Sequence, residues 1–205
     1  MRSEQRRPPG RPRDQRADDA VLAAALDLIA EAGVEGVSID QAAKRAGVAR
    51  TTVYRRYATR DDLAVAALVA NEAAVLVSFQ VPDQPSLADL VATWSAGLSE
   101  QRSRVLLRRM MSVPREHPEL WAAFRAASAG SRDQSVHDLV IRARAEGQLA
   151  ADADVEMVQA MLTGAVAVHL TNYPDDVSAE EVAAYFWRVL RTLGFRVPAY
   201  LPGRS

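Results

Sequence analysis

The chain of 205 residues contains no cysteine, which excludes disulfides and thiolate metal sites. It also lacks any run of about 18 apolar residues, and its arginine-rich start is not followed by an apolar segment. Those two absences argue against a membrane span and a secretory signal, so the expected location is the cytoplasm. Histidine is scarce: His117, His137 and His169 lie far apart, in no Glu-x-x-His or HExxH arrangement. Asp133 and His137 are four apart, but no further ligand accompanies them at metal spacing. With no phosphate loop either, neither an enzyme nor a bound cofactor is expected. Lysine is nearly missing too, Lys44 being the single one among 25 basic residues. That scarcity is even along the chain and reads as codon bias. No alternating pattern long enough for a strand occurs, and no internal repeat.

What remains is helix. Residues 1–60 hold 12 basic against 8 acidic side chains, whereas the rest of the chain holds 13 against 18. A basic front on an acidic body places any polyanionic partner at the front. Residues 1–16 carry six arginines, three prolines and no large apolar residue beyond Met1, and are expected to form a disordered arm. Val21, Leu22, Ala25, Leu26 and Ile29 share one helical face over about Asp18 to Ala32, and Gly33 supplies a stop. Ser38 with Gln41 opens a second helix as a capping box. A third is expected from Arg50 to Tyr57, with the non-capping Ala49 before it, and Thr59 caps a fourth.

Beyond Pro82 and Pro85 the helical pattern continues. Ser86 with Asp89 opens one helix, and another carrying Val105, Leu106, Arg109 and Met110 is expected to halt at Pro114. Pro118 starts a further one, with an interruption at Gly130 and an end at Gly147. Asp152 or Asp154 opens the segment that Pro174 closes, and Ser178 with Glu181 caps the last helix. The expected fold is all-α with about nine helices. Its parts are the arm 1–16, a small basic domain 17–65, and a larger helical domain 66–205.

The segment from Ser38 to Leu63, SIDQAAKRAGVARTTVYRRYATRDDL, is the most specific in the chain. Two short helices meet at Gly47, and the second carries Arg50, Thr51, Thr52, Tyr54, Arg55 and Arg56. A short helix, a glycine turn and a donor-rich helix are the layout of a DNA-reading helix-turn-helix. Together with the Ala46-Gly47-Val48 turn, Tyr57 and the Thr59-Arg60-Asp61 helix start, the segment resembles the tetracycline-repressor (TetR) family of bacterial transcription regulators. Arg60 stands where that family usually has lysine, and Val53 and Ala42 are smaller than the usual residues.

The resemblance implies phosphate clamps at Tyr54, Tyr57 and Arg60. Ser38, at a helix N-terminus, can donate to a phosphate. Arg50, Thr51, Thr52 and Arg55 are the candidates for base edges, since arginine can grip guanine bidentately and a threonine methyl can meet thymine. Alternatively, Arg55 and Arg56 form a solvated face and Tyr54 packs internally. In the arm, Gly10-Arg11-Pro12-Arg13 matches an AT-hook core, in which Arg11 and Arg13 would enter an A·T-rich minor groove. A sequence-blind basic tail is the competing reading.

For the larger domain the resemblance implies an effector pocket and a homodimer interface. Val155, Val158, Leu162, Ala165 and Val168 form one apolar face, and Phe186, Val189 and Leu190 lie on another, so four helices could pair across a dimer. Ordinary core packing is the alternative. Trp94, Leu98, Leu106, Met110, Trp121, Phe124, Met161, His169 and Tyr173 are candidates for lining a site for a small, largely apolar effector, or for the core. The expected function is a ligand-responsive homodimeric repressor on a palindromic double-stranded operator. An effector-independent architectural DNA-binding protein is the alternative.

Overall fold

A computed structural model describes residues 12–78, 84–128 and 132–197. Among the described residues there are ten α-helices, one short 3-10 turn and no strand. The chain divides after Leu68 into two compact units.

The first unit contains α1 (Pro12–Ala32), the 3-10 turn Val34–Gly36, α2 (Ile39–Ala46), α3 (Arg50–Tyr54) and the start of α4 (Arg60–Ser78). Val21, Ala24, Ala25, Leu28 and Ile29 recur at helical spacing on α1 and are all buried. Ile39, Ala42 and Ala43 of α2, Val53 of α3 and Leu63, Ala64 and Ala67 of α4 complete the core of this unit. The small residues Ala42 and Val53 are fully covered, so they are accommodated without exposing the core.

Helix α1 begins six residues earlier than the apolar pattern indicates. Proline suits a first helical position, where its missing N–H would be unpaired anyway, and no breaker follows it. The Gln15 amide donates to Asp19 one turn on, at 3.1 Å. Residues 12–16, assigned from composition to the arm, therefore belong to α1. Pro12 and Arg13 adopt helical rather than extended backbone, contrary to an AT-hook core, and Arg11 lies outside the described residues.

The second unit contains the remainder of α4, followed by α5 (Leu87–Ser99), α6 (Gln101–Glu116), α7 (Pro118–Ala127), α8 (Arg132–Ala145), α9 (Val155–Asn172) and α10 (Ala179–Thr192). Reciprocal capping boxes start α5, at Ser86 and Asp89, and α10, at Ser178 and Glu181. Glu100 caps α6, and Asp154, not Asp152, caps α9. Helix α6 does not stop at Pro114. Only its last turn follows that residue, and the His117 N–H donates back to Val113 at 2.8 Å. Gly130 lies outside the described residues, but α7 and α8 on either side are separate helices, which gives ten rather than nine. Leu87, Leu90 and Leu98 of α5, Val136 and Val140 of α8, Val158 and Leu162 of α9, and Phe186 and Leu190 of α10 form one buried cluster.

Candidate functional site

The α2–turn–α3 segment is built by local chemistry. The Ser38 hydroxyl accepts from the Gln41 N–H at 3.5 Å, one half of the expected capping box. Gly47 sits in the left-handed region at φ 66°, and the Val48 N–H closes the turn onto Ala43 at 3.0 Å. A left-handed turn of this kind favours glycine because it has no Cβ to crowd the carbonyl. Ala49 precedes α3 in extended conformation and offers no side-chain cap.

Val53 is the buried residue of α3. Arg50, Thr51, Tyr54 and Arg55 are exposed, and Thr52 is half-buried. The helix is shorter than expected, ending at Tyr54, but the N–H groups of Arg56 and Tyr57 both return to the Val53 carbonyl at 2.9 Å. One face is thus seated by a single aliphatic side chain, and the other is polar, cationic and open.

Charge on this surface is mostly paired. Arg45 forms a two-point bridge with Glu31 at 2.7 Å, Arg56 meets Asp18 at 2.7 Å, and Arg50 pairs with Asp40 on α2. Arg60 lies 3.3 Å from Asp61 and donates to the Glu35 carbonyl at 3.3 Å. Thr59 and Asp62 form a reciprocal cap at the start of α4. The Tyr57 hydroxyl donates to Asp18 at 3.0 Å, and burial with that bond pushes the phenol up to about 12. Tyr57 therefore ties the end of the reading helix to α1 in this structure, instead of presenting its hydroxyl as a clamp.

In the second unit the residues named for a pocket fall into distinct places. Leu98, Leu106 and His169 are buried; Trp94, Met110, Trp121 and Phe124 are half-buried; Met161 and Tyr173 are exposed. Trp94 packs on Phe186 at 4.7 Å, Trp121 neighbours Phe124 at 5.5 Å, and Tyr173 stacks on His169 at 4.5 Å.

Arg104, which sequence reasoning passed over, organises this region. It is fully buried, and all five of its donor hydrogens have acceptors. Its Nε donates to Asp175 at 3.0 Å, one terminal nitrogen to the Leu98 carbonyl and His169 Nδ1, and the other to the carbonyls of His169 and Tyr173. Arg108 adds a bidentate bridge to Asp175 at 2.6 and 2.7 Å. Arg108 first, and then Arg104, hold the Asp175 carboxyl far below the usual range.

Because a guanidinium can only donate, His169 Nδ1 is the acceptor and the ring carries its hydrogen on Nε2. Burial, assisted by the adjacent Arg104 charge, pushes this histidine down to about 4. The buried Nε2 has no hydrogen-bond partner among the described residues.

With this geometry in place, comparison with known proteins is decisive. Residues 21–67 match the model described as bacterial regulatory proteins, tetR family. Residues 81–188, over half of the chain, match the tetracyclin repressor-like C-terminal domain. The chain belongs to the TetR family. It is a DNA-binding transcriptional regulator by that membership, and the enzyme class is set aside with it.

Among similar proteins, the HTH-type transcriptional regulator YdeS of Bacillus subtilis strain 168 is 24% identical over 172 residues, covering 82% of this chain and 85% of that protein. AqdR of Rhodococcus erythropolis is 26% identical over 168 residues, covering 80% and 79%. The fatty acid degradation regulator FadR of Bacillus halodurans shares the fold, with TM-score 0.72 at 18% identity over 92% of this chain and all of that one. FadR of Bacillus subtilis, solved with stearoyl-CoA, has TM-score 0.62 at 17% identity, covering 88% of this chain and 99% of that chain.

Two TetR-family expectations need correction at the residue level. Val158, Leu162, Phe186 and Leu190 were candidates for the dimer interface, but all four are buried within the protomer's own core. Ala165 and Val189 are half-buried beside them. The neighbouring side of α9 is the open one: Met157, Met161 and Val168 are 56%, 52% and 47% exposed, with exposed Gly164 between them. Met161 thus stands on this outer stripe and not in a pocket. Helix α9 is apolar on two faces, and periodicity alone could not say which faced inward. Among the described residues, no helix is long and apolar enough to cross a membrane.

Proposed function

We propose that this TetR-family regulator is a cytoplasmic homodimer that represses transcription from a palindromic operator and releases it on binding an effector. The observation that carries the reading is α3: seated on Val53, it turns Arg50, Thr51, Tyr54 and Arg55 to solvent. These groups can enter a major groove, Arg50 and Arg55 toward guanine edges, Thr51 and Thr52 toward thymine, and Tyr54 toward phosphate. Ser38 and Arg60 fit the backbone on either side. The basic segment ahead of α1, with Arg11 in it, contributes salt-sensitive affinity; Arg13, at the start of the helix, contributes the same way.

One protomer reads a half-site, so a pair related by two-fold symmetry is needed for a palindrome. The stripe Met157, Met161, Gly164 and Val168 suits the pairing surface. A Cβ placed at Gly164 would meet nothing within 4 Å, leaving room for another helix to approach closely.

For the effector, the buried His169 Nε2–H is the informative group. A buried donor without a partner costs about 1–3 kcal/mol, which an acceptor oxygen on a bound molecule would recover. Tyr173, Tyr185 and Phe186 around it, with Trp94 packed on Phe186, favour an apolar body beside that oxygen. The stearoyl-CoA in the Bacillus subtilis FadR has both features and is a reasonable first probe. The effector must bind the DNA-free arrangement more tightly than the DNA-bound one.

The test is selection of bound sequences from a random duplex pool at about physiological salt. A palindrome with half-sites about one helical turn apart, or a multiple of that, is expected. A/T-rich enrichment without a palindrome would contradict the operator reading and favour an architectural role. No enrichment would contradict DNA reading by the free protein.

A further inference from the structure

Helix α3 has little of its own to fix its pitch. It is five residues long, its start is uncapped, and Val53 is its one buried side chain. A helix this short is unstable alone in water, so its placement depends on what it is tied to. At its start Arg50 meets Asp40 of α2, but both side chains are solvent-exposed and water screens the pair.

The tie at its other end is of a different kind. Asp18 Oδ1, on α1, accepts from two successive residues, from Arg56 Nη1 at 2.7 Å and from the Tyr57 hydroxyl at 3.0 Å. The side chains of Asp18 and Arg56 are 26% and 25% exposed, and a partly buried pair is screened much less than an open one. With its pKa pushed up to about 12, Tyr57 remains a donor at neutral pH. Asp18 itself stands one turn before Val21, which is buried in the core of the unit, so the acceptor is carried on a fixed part of α1. The N–H groups of Arg56 and Tyr57 both end on the Val53 carbonyl. A restraint on those two residues therefore reaches the residue that seats α3.

We infer that Asp18 is a positioning residue of the reading helix, acting through Arg56 and Tyr57 to fix the pitch of α3 on α1. The inference rests on the reading that α3 enters the major groove. Bidentate base contacts need the donor held close to its productive geometry, whereas flexible side chains reach phosphates from many orientations. A loosened α3 must be ordered when it binds the operator and need not be when it binds other DNA. Asp18 therefore contributes to discrimination between the two without touching either.

The experiment measures the affinity of wild type, Asp18→Ala and Asp18→Asn for the selected operator and for a scrambled duplex. Any unfolded fraction lowers both apparent affinities by the same factor, so their ratio reads positioning and not stability. For Asp18→Ala the operator should bind about tenfold more weakly, within the range of one bidentate base contact. Scrambled DNA should change by less than about twofold. Asp18→Asn, which keeps an acceptor oxygen, should lose less of the ratio. Glu31→Gln removes a carboxylate of the same helix that bridges to α2 instead, and should leave the ratio unmoved. In a background carrying Arg56→Met and Tyr57→Phe, Asp18→Ala should change the ratio no further, because both coupled partners are gone.

Equal losses on both duplexes for Asp18→Ala would make Asp18 merely structural and overturn the inference. Gains on both would overturn it too, by showing that Asp18 only withholds Arg56 and Tyr57 from phosphates. So would a fall in ratio of the same size without those partners. A wild-type protein that does not distinguish the duplexes would remove the groove reading itself, whereas an unchanged ratio in Asp18→Ala beside a discriminating wild type would remove this inference alone.

Discussion

A fully buried arginine with five acceptors is the most constrained residue of the second unit. Arg104 links the end of α5, the end of α9 and the loop before α10 through Leu98, His169, Tyr173 and Asp175. Replacing it by methionine keeps volume but strips three carbonyls of a donor, so Arg104→Met should lower stability by about 3 kcal/mol in denaturant unfolding. A change below about 1 kcal/mol would show that the network is dispensable. His169 beside it is held neutral, with its pKa lowered to about 4 from an ordinary value near 6.5. The unfolded chain therefore binds the extra proton first. The stabilisation is fully present above pH ~6.5 and is lost as pH falls toward 4, by up to about 3 kcal/mol. His169→Gln, which can still accept from Arg104, should flatten that part of the stability profile. An unchanged slope would place the titration elsewhere. On the DNA side, Arg55 has no carboxylate partner among the described residues, so Arg55→Ala should relax preference at one base position, whereas Arg60→Ala should weaken all sequences alike. Of these residues, His169 and Arg55 could be picked out from sequence because a lone histidine and an arginine in a donor-rich helix are visible there. Arg104 could not: its partner Asp175 lies 71 residues away, and nothing local distinguishes it from a surface arginine.

Helix boundaries were legible wherever the signal was a side chain bonding three residues along. Ser86, Ser178, Thr59 and Asp154 all cap as their positions indicate, since that chemistry is complete within one turn. Prolines misled because their effect depends on position: Pro12 starts a helix, and Pro114 falls so near an end that the helix passes through it. The weakest start is that of α3, where Ala49 is extended and caps nothing. Ala49→Ser should stabilise the first unit by about 0.5–1 kcal/mol, seen as a higher unfolding midpoint. Gly47→Ala should do the reverse by about 1 kcal/mol, through left-handed backbone alone, because no atom stands within 4 Å of the added methyl. A midpoint unmoved by Ala49→Ser would mean that α3 is already held entirely by Val53 and the Tyr57–Asp18 bond.

For the whole molecule, the family and its all-helical fold were legible, whereas the pairing surface was not. Sequence periodicity found the apolar residues of α9, but which stripe fills the protomer core depends on contacts with α6, α8 and α10 that no local pattern encodes. The outward stripe of Met157, Met161, Gly164 and Val168 makes the dimer testable apart from the fold. Met161→Glu replaces an exposed side chain, so folding should survive while self-association weakens and operator affinity falls with it. The most direct measurement is the mass of the complex on a labelled palindromic duplex, by sedimentation, for wild type and Met161→Glu. Two wild-type protomers per duplex are expected, with predominantly free DNA for the variant at the same concentration. One wild-type protomer per duplex, or a variant that still assembles in pairs with unchanged affinity, would contradict a dimeric reader built on that face of α9.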